Sequence, residues 1–311
     1  MIRSPEQILL TLDEAGRLDG LPFMPEMIGY CGRTVRVYRA AHKTCDTLAH
    51  AGVRRMERAV FLEGIRCDGS EHGGCQARCL IYWKEAWLQP INKGRTSTRR
   101  RPQGSSASPG AACTVDAVRA AARVGGSSPD ERYACQATSL HEATLPLSRW
   151  DLRQYAADIA SGNVGIGRMA RVWAERAQGR VRRIVRGADR LTITGGIAAP
   201  PLAGPVEPGR AVRIRSRAEI EAKLDATRRD RGLSFSDEMV PYCGEVHRVV
   251  GSVEHIIDDR SGRMLRLRDC TILDGVTCRG DYHAFCPRDV YSYWRSAWLE
   301  DAKPEAAEPL R

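Results

Sequence analysis

No run of apolar residues in this chain is long enough to span a bilayer, and no secretory signal is recognisable, so a membrane-spanning or exported protein is not expected. A G-x-G-x-x-G opening a helix, a Walker loop, a G-x-S-x-G elbow and an H-E-x-x-H helix are all missing, which removes the commonest signatures of nucleotide enzymes, serine hydrolases and zinc proteases. RRM, helix-turn-helix and C2H2-finger signatures are missing too. Cysteine, by contrast, is plentiful, with 11 in 311 residues. In the reducing cytosol expected for such a chain disulfides are disfavoured, so regular cysteine spacing points to metal.

That spacing occurs twice. Cys67, His72 and Cys75 form C-x4-H-x2-C, and Cys278, His283 and Cys286 repeat it. A Tyr-Cys-Gly precedes each triplet, contributing Cys31 and Cys243. Three thiolates and one imidazole fill a tetrahedral zinc shell and leave no position for water, so two structural Zn2+ ions per chain are expected. Each would contribute on the order of 10 kcal/mol to a small domain with a thin core. Buried apolar thiols repeated by duplication are the bland alternative, and a redox or iron–sulfur role is a third reading. Cys79 could replace Cys31 in the first set, since Cys67, His72, Cys75 and Cys79 are also a legal group. Cys31 is preferred because its partner Cys243 exists, whereas Cys45 and Cys79 align with Ile257 and Val290.

The repetition is wider than the cysteines. At an offset of 212, Ile2-Arg3-Ser4, Ile8, Leu12, Asp13, Arg17, Phe23 and Glu26-Met27 recur as Ile214-Arg215-Ser216, Ile220, Leu224, Asp225, Arg229, Phe235 and Glu238-Met239. At 211, Tyr82-Trp83 and Trp87-Leu88 recur as Tyr293-Trp294 and Trp298-Leu299. This indicates a duplicated domain, too few copies for a solenoid. The plan is repeat 1 at 1–90, a basic flexible linker at 91–130, a helical insert at 131–190, a Pro/Gly-rich linker at 191–211, repeat 2 at 212–302 and a tail at 303–311. Within a repeat, Ser4 or Ser216 caps a short helix. Short strands follow, beginning at Tyr-Cys-Gly and separated by turns such as Asp258 to Gly262. The expected fold class is α+β: two small antiparallel SH3-like β-barrels, each with a Cys3His site and flanking helices. Leu80 to Leu88 and Val290 to Leu299 read as helices with paired tryptophans packed on the barrel. In the insert, Trp150 to Ala160 reads as a helix begun by Ser148. Glu26 and Glu238, kept in both repeats, could each be a cap or a ligand contact, with a cap preferred.

The net charge is +10. Arg99, Arg100 and Arg101 crowd the linker, and Arg176, Arg180 and Arg183 belong to an arginine-rich helical stretch with an apolar side. Such clusters suit phosphate backbones or anionic lipid, although solvated arginine faces are ordinary. Cys135 near His141 and Glu142 could be a thiol and its base, with a buried thiol as the plainer reading.

The Tyr-Cys-Gly strands, the C-x4-H-x2-C loops followed by a Trp-containing helix, Glu63-Gly64, Tyr133-Ala-Cys-Gln-Ala-Thr and Cys286-Pro287-Arg288 together resemble a family of uncharacterised bacterial proteins. The barrel expected here is similar to SH3-like modules such as KOW and Tudor, which by analogy implies binding of proteins or nucleic acids. The leading expectation is a cytoplasmic, zinc-stabilised, non-enzymatic binding or scaffold protein with a protein partner. The alternatives are an enzyme or enzyme subunit with its active site between the repeats, and nucleic-acid binding through the arginine-rich helix.

Overall fold

The computed structural model describes residues 1–49, 52–91, 113–125, 131–186, 202 and 206–302, with the backbone alone for 182–186. The chain divides into two compact units, one of residues 1–151 with 257–265 and the other of residues 152–256 with 266–311. The architecture is mixed α+β, with small antiparallel sheets.

In the first unit Ser4 opens helix α1 (Pro5–Leu9) through a capping box with Gln7, where each side chain accepts from the other residue's backbone N–H. The short helix α2 (Pro25–Ile28) follows. Strand β1 (Val37–Ala40) pairs with β4 (Ala59–Arg66), which pairs in turn with β5 (Leu80–Lys84). Strands β2 (Lys43–Cys45) and β3 (Val53–Arg55) form a separate sheet with β6 (Leu145–Leu147). Two further helices, α3 (Val115–Ala121) and α4 (Gln136–Ser139), precede β6 in the chain. The Gln136 side chain is buried, donating to the carbonyls of Tyr82 and Pro22 and accepting from Tyr82 N–H at 2.7 Å. Those bonds fasten α4 to β5.

The second unit begins with α5 (Arg153–Ala160) and the 21-residue α6 (Ile166–Arg186). Its five-stranded sheet uses β7 (Ala211–Ile214), β8 (Val246–Ser252), β11 (Cys270–Leu273), β12 (Trp294–Arg295) and β13 (Leu299–Asp301) in the order β12-β11-β8-β7-β13. Helix α7 (Arg217–Glu221) has Ser216 and Glu219 as its capping box. The hairpin of β9 (His255–Ile257) and β10 (Met264–Arg266) ends in a tip, residues 257–265, that belongs to the first unit, where Ile257 and Met264 join the core.

Residues 212 or 211 positions apart do the same local work. Asp13 Oδ1 accepts from Arg17 N–H, and Asp225 Oδ1 from Arg229 N–H. Phe23 meets Trp83 and Trp87 edge-on at 6.5 and 5.4 Å, while Phe235 meets Trp294 and Trp298 at 6.4 and 5.7 Å. All four tryptophans are fully buried. Edge-to-face pairs add about 1 kcal/mol each beyond area burial, so these clusters anchor the two cores.

Several expectations change. No sheet closes into a barrel. The strands are short, they divide among separate sheets, and the ladders are interrupted between Val37 and Arg39, Phe61 and Arg66, and Val249 and Gly251. Leu80 to Leu88 is a strand followed by a 3-10 turn (Glu85–Trp87), and Trp294 to Trp298 follows the same plan. Strand β5 is buried at all five positions, so its unbroken apolar run lacks the alternation that separates strand from helix. The Tyr-Cys-Gly segments are turns: Cys31 N–H bonds Ile28 C=O, and Cys243 N–H bonds Val240 C=O. Helix α5 starts at Arg153, because Ser148 spends its hydroxyl on Trp150 N–H in a preceding turn. Part of the supposed linker, residues 113–125, is ordered, with Thr114 capping α3 and Val118 buried. Residues 92–112 and 126–130 of that linker lie outside the described residues.

Candidate metal centre

Each C-x4-H-x2-C segment folds as a tight loop hung from a glycine. In the first, Gly69 C=O accepts from His72 N–H and Gly74 N–H at 3.0 Å, and Cys75 N–H returns to His72 C=O at 3.2 Å. In the second, Gly280 C=O accepts from His283 and Phe285 N–H at 2.9 and 2.7 Å, and Cys286 N–H bonds His283 C=O at 3.0 Å. Both hinge glycines are left-handed, with φ of +71° and +74°. A Cβ on Gly69 would stand 2.1 Å from Cys75 O, and one on Gly280 2.4 Å from Cys286 O. Glycine is required here twice over, by dihedral angle and by space.

A carboxylate holds each loop from outside. Glu26 Oε1 accepts Glu71 N–H at 3.2 Å, and Glu238 Oε1 accepts the equivalent Tyr282 N–H at 2.5 Å. Both carboxylates are buried and both face the loop's histidine and first cysteine. Spacing gave little reason to pair Glu26 with Cys67, 41 residues on. The available signal was that a glutamate stands at the same place in both repeats. The cap expected of it exists, but it caps a loop rather than a helix.

The two groups differ in how they use their histidine. In the second loop the ligand atoms of Glu238, Cys278 and His283 all lie within 4.8 Å of one another, the one such group among the described residues. Around tetrahedral zinc, sulfur, nitrogen and oxygen ligands stand about 3.4–3.6 Å apart. His283 is the exposed member of the group. A carboxylate, a thiol and an imidazole are together a donor set that could hold a metal ion. Burial pushes the Glu238 carboxyl above its usual range, against the Tyr282 amide, which lowers it. A bound cation would reverse that shift.

In the first loop His72 is buried, and both ring nitrogens face oxygen: Nδ1 is 2.6 Å from Glu26 Oε1 and Nε2 is 3.2 Å from Ala134 O. Glu26 and Ala134 O hold this ring between them, and His72 belongs to no group of three clustered ligand atoms among the described residues. Cys67 Sγ lies 3.9 Å from Glu26 Oε1, and its thiol is pushed far up by burial first and then by the charges of Glu26 and Cys79. Glu26 Oε2 is buried without a hydrogen bond.

The remaining site expectations fall as follows. Cys31 and Cys243 stand outside the one clustered group among the described residues. Their Sγ atoms lie 3.8 Å from Met27 O and 4.0 Å from Met239 O, because a cysteine at the end of such a turn directs its side chain back over the preceding carbonyl. Burial raises both thiols to about 11, with Glu6 adding to the rise for Cys31 and Arg217 opposing it for Cys243. Cys75 and Cys286 close their loops through backbone bonds and stand outside the clustered group. Cys135 is a buried thiol raised to about 12 by burial, the opposite of activation. His141 lends its carbonyl to Arg54, and Glu142 pairs with Arg17. Arg176 stacks over Tyr282 at 5.4 Å, and Arg180 is exposed on α6. Arg99, Arg100, Arg101 and the Arg183 side chain lie outside the described residues. Comparison of the chain with protein-family models, curated proteins and solved structures found no match.

Proposed function

We propose that the chain is a metal-stabilised, non-enzymatic binding or scaffold protein, built on a duplicated domain and acting on a protein partner, in which Glu238, Cys278 and His283 hold a structural zinc ion. The convergence of those three ligand atoms on a glycine-hinged loop carries this reading. A metal there would lock a loop that otherwise relies on a few backbone bonds, as structural zinc does in other small folds. Elemental analysis of purified full-length protein tests it, together with thermal unfolding before and after chelation. The reading requires zinc in the protein, its loss in Glu238→Gln and His283→Ala, and a lower melting temperature without it. Protein free of zinc after reconstitution overturns the reading.

One observation favours a second reading. Three ligands with an exposed His283 leave a fourth position, the arrangement of catalytic zinc. The two readings separate on Cys286, which is buried and bonds His283 C=O through its backbone N–H. If Cys286 closes the shell, Cys286→Ser loses zinc. If the position is open, the variant keeps it.

A further inference from the structure

Helix α6 carries two apolar edges, and one of them is covered. Met169 and Val172 are buried with Val164 and Phe285. Ile166, Ala170, Trp173, Ala177 and Val181 follow at i, i+4, i+7, i+11 and i+15, which places them within an arc of roughly 80° over about 22 Å of helix. This second edge faces solvent: Ile166 is 68% exposed, Trp173 44% and Val181 57%, and both alanines are exposed. Trp173 touches Tyr155 edge-on at 5.4 Å and still presents nearly half its surface.

Charge narrows what covers this edge. The α6 sequence contains Arg168, Arg171, Arg176, Arg180, Arg182, Arg183 and Arg186 against the single acid Glu175. Arg168 is engaged by Asp281 at 2.8 Å, while Arg171 and Arg180 stand exposed. A second copy of α6 would bring like charges together. Nucleic acid would satisfy the arginines and leave the aliphatic stripe in water. A surface that is both anionic and apolar within a few ångströms matches both features, and an acidic bilayer is such a surface. Among the described residues no helix is long and apolar enough to cross a membrane, so the contact is one of lying on it.

We propose that the solvent-facing edge of α6 docks on the surface of an anionic lipid bilayer, Ile166, Trp173 and Val181 entering the headgroup boundary and Arg171 and Arg180 meeting lipid phosphates. This goes beyond the metal reading and does not rest on it. The test is co-sedimentation of the full chain with phosphatidylcholine vesicles, with and without phosphatidylglycerol, at low and high salt. Binding is expected on the acidic vesicles only, weakened by salt. Arg171→Ala and Arg180→Ala should each weaken it about fivefold, and Ile166→Asp with Val181→Asp by more than about tenfold. These positions are exposed, so an unchanged melting temperature separates lost docking from lost folding. Absence of binding to acidic vesicles overturns the proposal. So does binding that responds to the arginines but not to Ile166 and Val181, or that is matched by a homopolymeric RNA, since either makes the helix a plain polyanion site.

Discussion

The two C-x4-H-x2-C loops share one backbone and differ in what fills it. In the first, His72 is buried between Glu26 and Ala134 O, and the two residues after it are Gly73 and Gly74. In the second, His283 is exposed beside Glu238 and Cys278, and the following residues are Ala284 and Phe285, both left-handed at φ of +51° and +61°. Tyr133 explains part of this, because a Cβ on Gly73 would lie 2.4 Å from its hydroxyl. Phe285 accepts a strained backbone in order to bury its ring against Val164, Met169 and Val172. One loop is thus closed by a polar pair under a covering segment, while the other is left with a ligand group reachable from solvent. The same local scaffold serves packing in one place and gathers three candidate ligand atoms in the other.

The largest effect should come from what the loops share. Gly69→Ala and Gly280→Ala each force a side chain onto a backbone carbonyl from a left-handed position, and each should cost more than about 3 kcal/mol in denaturant unfolding. A cost below about 1 kcal/mol would mean the loops are not as tight as described. Next comes the feature that separates them. His72→Ala leaves a buried carboxylate without its partner and should cost about 3–5 kcal/mol. His283→Ala, at an exposed position, should cost less than about 1 kcal/mol in metal-free protein. Equal losses would erase the distinction. Phe285→Gly releases backbone strain of about 1 kcal/mol and forfeits a buried ring worth about 3–5, a net loss of about 2–4 kcal/mol. Faster amide exchange in α6 would report it.

The smallest effect is on pH dependence. The folded-state pKa of Glu238 is raised, so in metal-free protein its contribution favours the fold below the ordinary carboxyl range and is lost as pH climbs through the raised value. Metal binding needs the ionised form and reverses that sign. Melting curves of metal-free Glu238→Gln should lose this slope.

Local signals were legible because they rest on short-range chemistry: the Ser4 and Ser216 caps, the tryptophan pairs and the two loops all follow from spacing. What escaped was long-range. Glu26 and Glu238 reach their loops across more than forty residues, and a carboxylate's burial leaves no mark on its neighbours in sequence. Cys31 and Cys243 drew attention by repetition, yet each turns back to a carbonyl four residues earlier. Barrel closure depends on strand register, and interrupted ladders cannot be seen in composition.

Zinc stoichiometry in three full-length proteins tests the account at its centre: the unaltered chain, Glu26→Gln and Glu238→Gln. One equivalent in the first two and none in the third is the result the two loops require. Two equivalents in the unaltered chain, or zinc retained by Glu238→Gln, would contradict it.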